Sequence, residues 1–221
     1  MINLDYTEHP VIDVRIVHDD LFELTVERSG LEFAPGDCVA IYTDDDKSRP
    51  YSIASGSTEK DLRFIIRKMT DGEVSPWLMS RHRGHVIRIT PPFGWFRPGQ
   101  NIGESPFVFL ATGTGIAPFL SYVRTFEKPP VQCLYGVRYV RDTVGLDKLG
   151  RFCPTQVAVS REREHEHHHG RITDLLHTLQ VDGQTHYYCC GLESMVNDVS
   201  EWLRGKGVEL SNIHREVFFH G

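Results

Sequence analysis

Phe107-Val108-Phe109-Leu110-Ala111-Thr112-Gly113-Thr114-Gly115-Ile116-Ala117-Pro118 joins five apolar residues to two glycines and then to a helix-compatible start. The apolar run has the length and the unbroken hydrophobicity of a strand buried on both faces. Gly113 and Gly115 allow a tight turn and a close approach of ligand to backbone. The helix that follows offers free N–H groups to an anion such as a pyrophosphate. Pro118 fits the first helical turn, where its missing N–H costs nothing, and it stands where a G-x-G-x-x-G pattern has its third glycine.

Downstream of this turn, strand-like and helix-like segments alternate. Strands are expected at Phe107–Ala111, Val131–Tyr135, Thr155–Ser160, His186–Cys190 and about Arg215–Phe219. Helices are expected at Pro118–Phe126, Thr173–Leu179 and Ser194–Leu203. Such alternation implies a parallel sheet covered by helices on both faces. Upstream, the pattern differs. Val11–Val17, Leu21–Val26, Cys38–Tyr42, Tyr51–Ala54, Leu62–Ile66 and Val86–Ile89 are short apolar runs with turn signals between them. Six short strands in sequence suggest a closed or nearly closed antiparallel barrel. The change falls at the polar stretch Arg97–Gly103, which reads as a domain boundary. The expected fold is therefore a two-domain chain: an antiparallel β-barrel in residues 1–100, then an α/β parallel-sheet nucleotide-binding domain in residues 101–221.

Composition narrows the function. The 221 residues are 40% hydrophobic, enough for a substantial core, and carry a formal charge of −6. That balance argues against a nucleic-acid-binding surface. No run of about 18 apolar residues is present, and Met1–Pro10 lacks the basic flank and apolar stretch of a signal peptide. The five cysteines, Cys38, Cys133, Cys153, Cys189 and Cys190, show no C-x-x-C spacing and suggest neither a zinc site nor an iron–sulfur cluster. A reducing cytoplasm is the simplest setting.

A second motif, Arg49-Pro50-Tyr51-Ser52-Ile53-Ala54-Ser55, lies on a barrel strand about 60 residues before the glycine turn. Arginine can grip a phosphate, an aromatic ring can stack on a flat cofactor, and a hydroxyl can bond a ring nitrogen. In this order the two motifs resemble the ferredoxin–NADP reductase family of flavoenzymes. That family has an FAD-binding barrel with an R-x-Y-S motif and a nicotinamide-binding domain that opens on a G-T-G-I-A-P-F turn. Gly72-Glu73-Val74-Ser75 resembles the family's second flavin motif. Pro92-Phe93-Gly94 resembles the end of its G-P-x-G turn, with Pro91 in place of the first glycine. Cys190-Gly191-Leu192-Glu193-Ser194-Met195 resembles its C-G-x-x-x-M segment, and Glu216-Val217-Phe218 its E-x-aromatic ending.

The resemblance implies roles. Arg49 and Pro50 would lie at the FAD diphosphate, Tyr51 on the isoalloxazine, and Ser52 near its reactive nitrogen. Gly72, Val74 and Ser75 would surround the pyrophosphate, with the backbone of Ile66 close by. Thr112, Gly113, Thr114, Gly115, Ala117 and Pro118 would form the nicotinamide-dinucleotide turn. Cys190, Gly191, Leu192 and Met195 would border the nicotinamide, with Cys190 acting by steric placement. Glu216 would supply charge or a proton path. Phe218 or Phe219 would cover the flavin. The catalytic set is then Ser52, Cys190 and Glu216.

Ser160 and Arg161 end a strand where an adenine ribose would sit, and Gly170-Arg171 supplies a second guanidinium, a combination suited to the 2′-phosphate of NADPH. The tract His165–His169 between them reads as a solvated loop, and no metal site is expected. The expected activity is electron transfer between NADPH and a one-electron carrier, ferredoxin or flavodoxin, with FAD and NADP as cofactors. The rival readings are a free-flavin reductase, the reductase component of an oxygenase, and a non-enzymatic nucleotide-binding sensor or electron-transfer subunit. Charge is uneven: residues 1–60 hold 5 Lys/Arg against 13 Asp/Glu, and residues 61–97 hold 7 against 3. The basic span, including Arg67 and Lys68, is expected to steer an acidic carrier.

Overall fold

The computed structural model describes residues 6–218. The first half is a six-stranded antiparallel sheet built from β1 (Thr7–His18), β2 (Leu21–Glu27), β3 (Cys38–Tyr42), β4 (Ser48–Ser52), β5 (Asp61–Arg67) and β6 (Val86–Ile89), in the order β4-β3-β6-β1-β2-β5. A backbone bond from Ala54 N–H, just past β4, to the Arg63 carbonyl of β5 at 2.8 Å brings the two sheet edges together, so the sheet curls into a barrel. Alternate residues Phe22, Leu24 and Val26 of β2 face Leu62, Phe64 and Ile66 of β5 in the barrel core. The short helix α1 (Val74–Met79) packs Val74 and Leu78 into that core.

The second half is a six-stranded parallel sheet: β7 (Phe107–Thr112), β8 (Gln132–Val137), β9 (Thr155–Val159), β10 (His168–His169), β11 (His186–Gly191) and β12 (Ile213–Val217), in the order β10-β9-β8-β7-β11-β12. β7 shows why the sheet is covered on both sides. Phe107, Phe109 and Ala111 pack with α2 (Ala117–Val123) and α3 (Leu146–Phe152) on one face. Val108 and Leu110 pack on the other face with α4 (Glu193–Gly205), whose Met195, Val196, Val199 and Leu203 recur at helical spacing.

The two halves share a core. Leu21, Ala54, Ile65 and Phe96 from the first half join the cluster of Phe109, Phe119 and Tyr188. Ser121 Oγ donates to the Ser55 carbonyl at 2.7 Å, and Ser57 N–H to Thr125 Oγ1 at 2.9 Å. A Cβ on Gly56 would lie 2.6 Å from the Arg124 carbonyl oxygen, so the contact demands glycine. Among the described residues no helix is long and apolar enough to cross a membrane.

Four elements differ from the sequence reading, the first being β10 (His168–His169), an edge strand on β9 where a solvated loop is expected. β4 runs over Ser48–Ser52 rather than Tyr51–Ala54, because β3 pairs it from Tyr42↔Ser48 to Cys38↔Ser52. The expected helix at Thr173–Leu179 is a 3-10 segment, Ile172–Thr178. Its β-branched ends and short length favour the tighter winding. α3 escapes the periodicity reading because only Leu149 of its seven residues is buried.

Candidate active site

The carboxyl ends of the parallel strands open on a cavity of about 360 Å³. This is where an open α/β sheet places its ligands. Thr112, Gly113 and Thr114 form one wall, Gly136 to Arg138 and Ser160 to Arg161 a second, and Leu192, Ser194 and Met195 a third. Gly170 and Arg171 close the outer end. Eight residues singled out in the sequence thus meet here: Thr112, Gly113, Thr114, Ser160, Arg161, Arg171, Leu192 and Met195.

The turn after β7 is built by packing. Gly113 has φ +53°, and a Cβ there would meet nothing within 4 Å, which leaves open space beside the backbone for a ligand. Gly115 serves differently: its Cβ would lie 2.4 Å from the Cys190 carbonyl oxygen, so the two loops close back to back. Gly191, at φ +130°, meets Thr112 in the same way. Thr112 Oγ1 accepts from Leu192 N–H at 2.9 Å, and its hydroxyl is thereby committed to holding the loops together. Gly115, Ala117 and Pro118 are buried and line no part of the cavity.

Arg138 is the residue the sequence reading passed over. It follows β8 directly, and the strand-end rule would have marked any cation there. Among the described residues Arg138, Arg161 and Arg171 form no ion pair with a carboxylate. Arg161 N–H donates to the Arg138 carbonyl at 2.9 Å, which keeps the two side by side. Asp174 accepts from Arg171 N–H at 2.8 Å, and that bond lowers its pKa. His165 and His169 both donate to the Glu162 carbonyl, at 2.9 and 2.7 Å, and His168–His169 pair with β9 at the sheet edge. No group of three or more His, Cys, Asp or Glu is gathered for a metal among the described residues.

In the barrel, Arg49 and Pro50 stand exposed on β4, Tyr51 is half-buried, and Ser52 is buried. Among the described residues Arg49 donates to the Ser48 carbonyl alone, at 2.9 Å, and forms no ion pair. Burial pushes the Tyr51 phenol up, so it stays neutral. Lys47, just before β4, contacts Glu73 at the start of α1 and brings the two flavin-type motifs to one end of the barrel. Ser75 Oγ accepts from Met69 N–H at 2.9 Å, so its hydroxyl closes its own loop, and Val74 faces the core. The Ile66 side chain is fully buried in the barrel. Gly72 is tight: a Cβ would lie 2.9 Å from Met69 Cβ.

Ser52, Cys190 and Glu216 converge where the halves meet. Cys190 and Glu216 are register partners on β11 and β12. Cys38, which the sequence reading left aside, bridges the gap: its Sγ lies 3.3 Å from Ser52 Oγ and 3.7 Å from Glu216 Oε1. Burial raises the Glu216 carboxyl above its ordinary value. Burial also lifts the Cys190 thiol far up, so it is a neutral group. Phe218 N–H donates to the Gly191 carbonyl at 2.8 Å, and its half-buried ring packs on the shared core. Phe219 lies outside the described residues.

The basic span is less open than its composition suggests. Arg67 pairs with Asp20 at 2.6 Å and with buried Asp142 at 3.3 Å. Arg88 pairs with Asp46 at 2.8 Å and Arg97 with Asp37 at 2.7 Å.

A barrel with a free guanidinium and an aromatic at one end, docked on a parallel sheet with a cationic cleft, defines a flavin- and dinucleotide-binding oxidoreductase. Residues 7–97 match the oxidoreductase FAD-binding domain, and residues 109–201 the oxidoreductase NAD-binding domain. Ferredoxin--NADP reductase A of Sorangium cellulosum is 30% identical, over 94% of this chain and 86% of that one. The toluate 1,2-dioxygenase electron transfer component of Pseudomonas putida is 27% identical over 94% of this chain, which spans 66% of that protein's length. A ferredoxin NADP+ reductase from Neisseria gonorrhoeae with bound FAD and NADP superposes with a TM-score of 0.84 at 21% identity, covering 98% of this chain and 100% of that one. The chain belongs to the ferredoxin–NADP reductase family.

Proposed function

We propose that the protein is an FAD-dependent oxidoreductase that moves electrons between NADPH and a one-electron protein carrier, ferredoxin or flavodoxin. The observation that carries this reading is a cleft at the carboxyl ends of the parallel strands, with the glycine turn on one side and arginines on another. Three arginines without carboxylate partners among the described residues, Arg138, Arg161 and Arg171, line it. Leu192 also lines it, two residues beyond Cys190, whose register partner on β12 is Glu216.

In this reading residues 1–100 hold FAD and residues 101–221 hold NADPH. Arg49 grips the FAD diphosphate, Tyr51 packs on the flavin ring, and the backbone from Gly72 to Ser75 lies along the pyrophosphate. Gly113 and Thr114 receive the NADPH pyrophosphate. Arg138, Ser160, Arg161 and Arg171 take the 2′-phosphate, where planar guanidinium groups suit a dianion. FAD, when bound, supplies the capacity to accept a hydride and release electrons one at a time. The chain contributes placement and proton control. Neutral Cys190 acts as a spacer, and Glu216, its carboxyl raised by burial, is suited to hold a proton beside Ser52.

Lys68 and Arg83 have no carboxylate partner among the described residues and are the cations of the basic span best able to steer an acidic carrier. Five free buried cysteines fit a reducing cytoplasm. Likeness to the toluate dioxygenase component favours one second reading, in which the carrier serves an oxygenase. The absorbance spectrum of the purified protein and its stopped-flow reduction test the proposal. Bound FAD and faster reduction by NADPH than by NADH are expected. Absence of flavin, or preference for NADH, refutes it. Adding an oxygenase to the reduced carrier and following its turnover separates the two readings.

A further inference from the structure

Ser52 and Glu216 belong to different halves of the molecule, and nothing in their own strands holds them in register. Ser52 ends β4, and Glu216 lies on β12. The side chain between them is Cys38, the first residue of β3 and the register partner of Ser52. Its Sγ stands 3.3 Å from Ser52 Oγ and donates to Glu216 Oε1 at 3.7 Å, both within sulfur hydrogen-bond range. We propose that Cys38 is a positioning residue, a thiol that accepts from the Ser52 hydroxyl and donates to the Glu216 carboxyl and so ties the reacting corner together across the domain boundary. The proposal rests on the reading of Ser52 and Glu216 given above.

The chemistry of the thiol suits this role. Cys38 is 7% exposed, and burial pushes its pKa up to about 11, so it keeps its S–H. A thiolate beside a carboxylate would repel it, whereas the neutral thiol can donate. The backbone fixes the sulfur. Cys38 N–H donates to the Phe93 carbonyl at 2.7 Å, and Phe93 N–H donates back to the Cys38 carbonyl at 2.8 Å. Among the described residues, three charged or titratable groups act on Glu216. Cys38 comes from β3, Cys190 from β11, and Arg97 from the segment after β6. Arg97 is itself held by Asp37, at 2.7 Å. Burial raises the Glu216 carboxyl, while the Cys38 hydrogen bond and the Arg97 charge work against that rise.

The test uses Cys38→Val, which keeps the bulk and suits a strand, and Cys38→Ser, which restores a donor. Two readouts are independent of turnover. The first is the S–H stretching band of the whole protein, assigned by subtracting the Cys38→Val spectrum. It is expected at the lowered frequency of a hydrogen-bonded thiol and should rise in Glu216→Gln. The second is the titration of Glu216 followed by carboxyl carbon NMR, assigned with Glu216→Gln. Cys38→Val should raise its midpoint by about half to one pH unit, and Cys38→Ser should return it toward the parent value. A band unmoved by Glu216→Gln, together with an unchanged midpoint in Cys38→Val, overturns the proposal. Neither readout requires flavin reduction, so an inactive protein that passes both would count against the functional reading and leave the role of Cys38 standing.

Discussion

Replacing Arg161 and Arg171 together by alanine tests the coenzyme assignment most directly. Both arginines line the cleft and are solvent-exposed. A charge-assisted hydrogen bond to phosphate is worth roughly 1.5–3 kcal/mol when well shielded. Exposure and salt screening reduce that to about 1–1.5 kcal/mol per arginine here. The pair therefore contributes about 2–3 kcal/mol, which is roughly 30- to 150-fold in affinity. Arg138 remains in the variant and keeps the loss at the lower end. The cost should fall on the KM for NADPH and leave kcat nearly unchanged, because the 2′-phosphate lies away from the reacting carbon. NADH is the internal control, since it lacks the 2′-phosphate, and its kinetics should move less than about 3-fold on the same reasoning. The assay is steady-state oxidation of each coenzyme with a small artificial acceptor, repeated at two salt concentrations. An equal rise in KM for NADPH and NADH, or no rise for either, would falsify the placement of the phosphate at these arginines.

Three further outcomes follow from the geometry. Arg49→Ala should release FAD about 10-fold more readily, because the guanidinium is exposed and its contact is partly screened; equilibrium dialysis of the flavin measures this, and full retention contradicts it. Gly115→Ala should cost about 1–3 kcal/mol and weaken NADPH binding, since its Cβ would meet the Cys190 carbonyl carbon at 2.6 Å and backbone cannot swing aside; an unchanged melting temperature would show that the loops can part. His214, stacked on Tyr188 with ring centroids 4.3 Å apart, has its pKa lowered to about 4 by burial and by neighbouring His186. The unfolded chain binds that proton near pH 6.5, so this group's contribution is present above pH 6.5 and is lost as pH falls toward 4, on the order of 2–3 kcal/mol in all. His214→Phe keeps the stack and should flatten the fall in thermal stability over that interval; an equally steep fall would assign it to other groups.

The sequence by itself determined the order of the main strands and helices, α3 and β10 apart. An unbroken apolar run such as Phe107–Ala111 is satisfied only by burial on both faces, and the glycines after it permit a turn that side chains would block. Both facts are local, and so both are legible in one dimension. The cleft followed in part from the same logic, because the ends of parallel strands must lie together. Arg161 and Arg171 were readable beside a strand end and a glycine, and Arg138 stood equally readable after β8.

Tertiary structure alone decided which groups are free to act. Composition counts Arg67, Arg88 and Arg97 as surface charge, yet each is spent on a carboxylate distant in sequence, as in Arg67 with Asp142. The glycine turn looks uniform in sequence, but Gly113 faces open space while Gly115 is pressed on the Cys190 carbonyl. Cys38 is separated from Glu216 by 178 positions, and no periodicity or motif could bring that thiol to that carboxyl. Local propensity and hydrophobic pattern act over a few residues, so they fix strands, turns and helices. Pairing between the halves depends on how two finished cores dock, and only the folded chain contains that information.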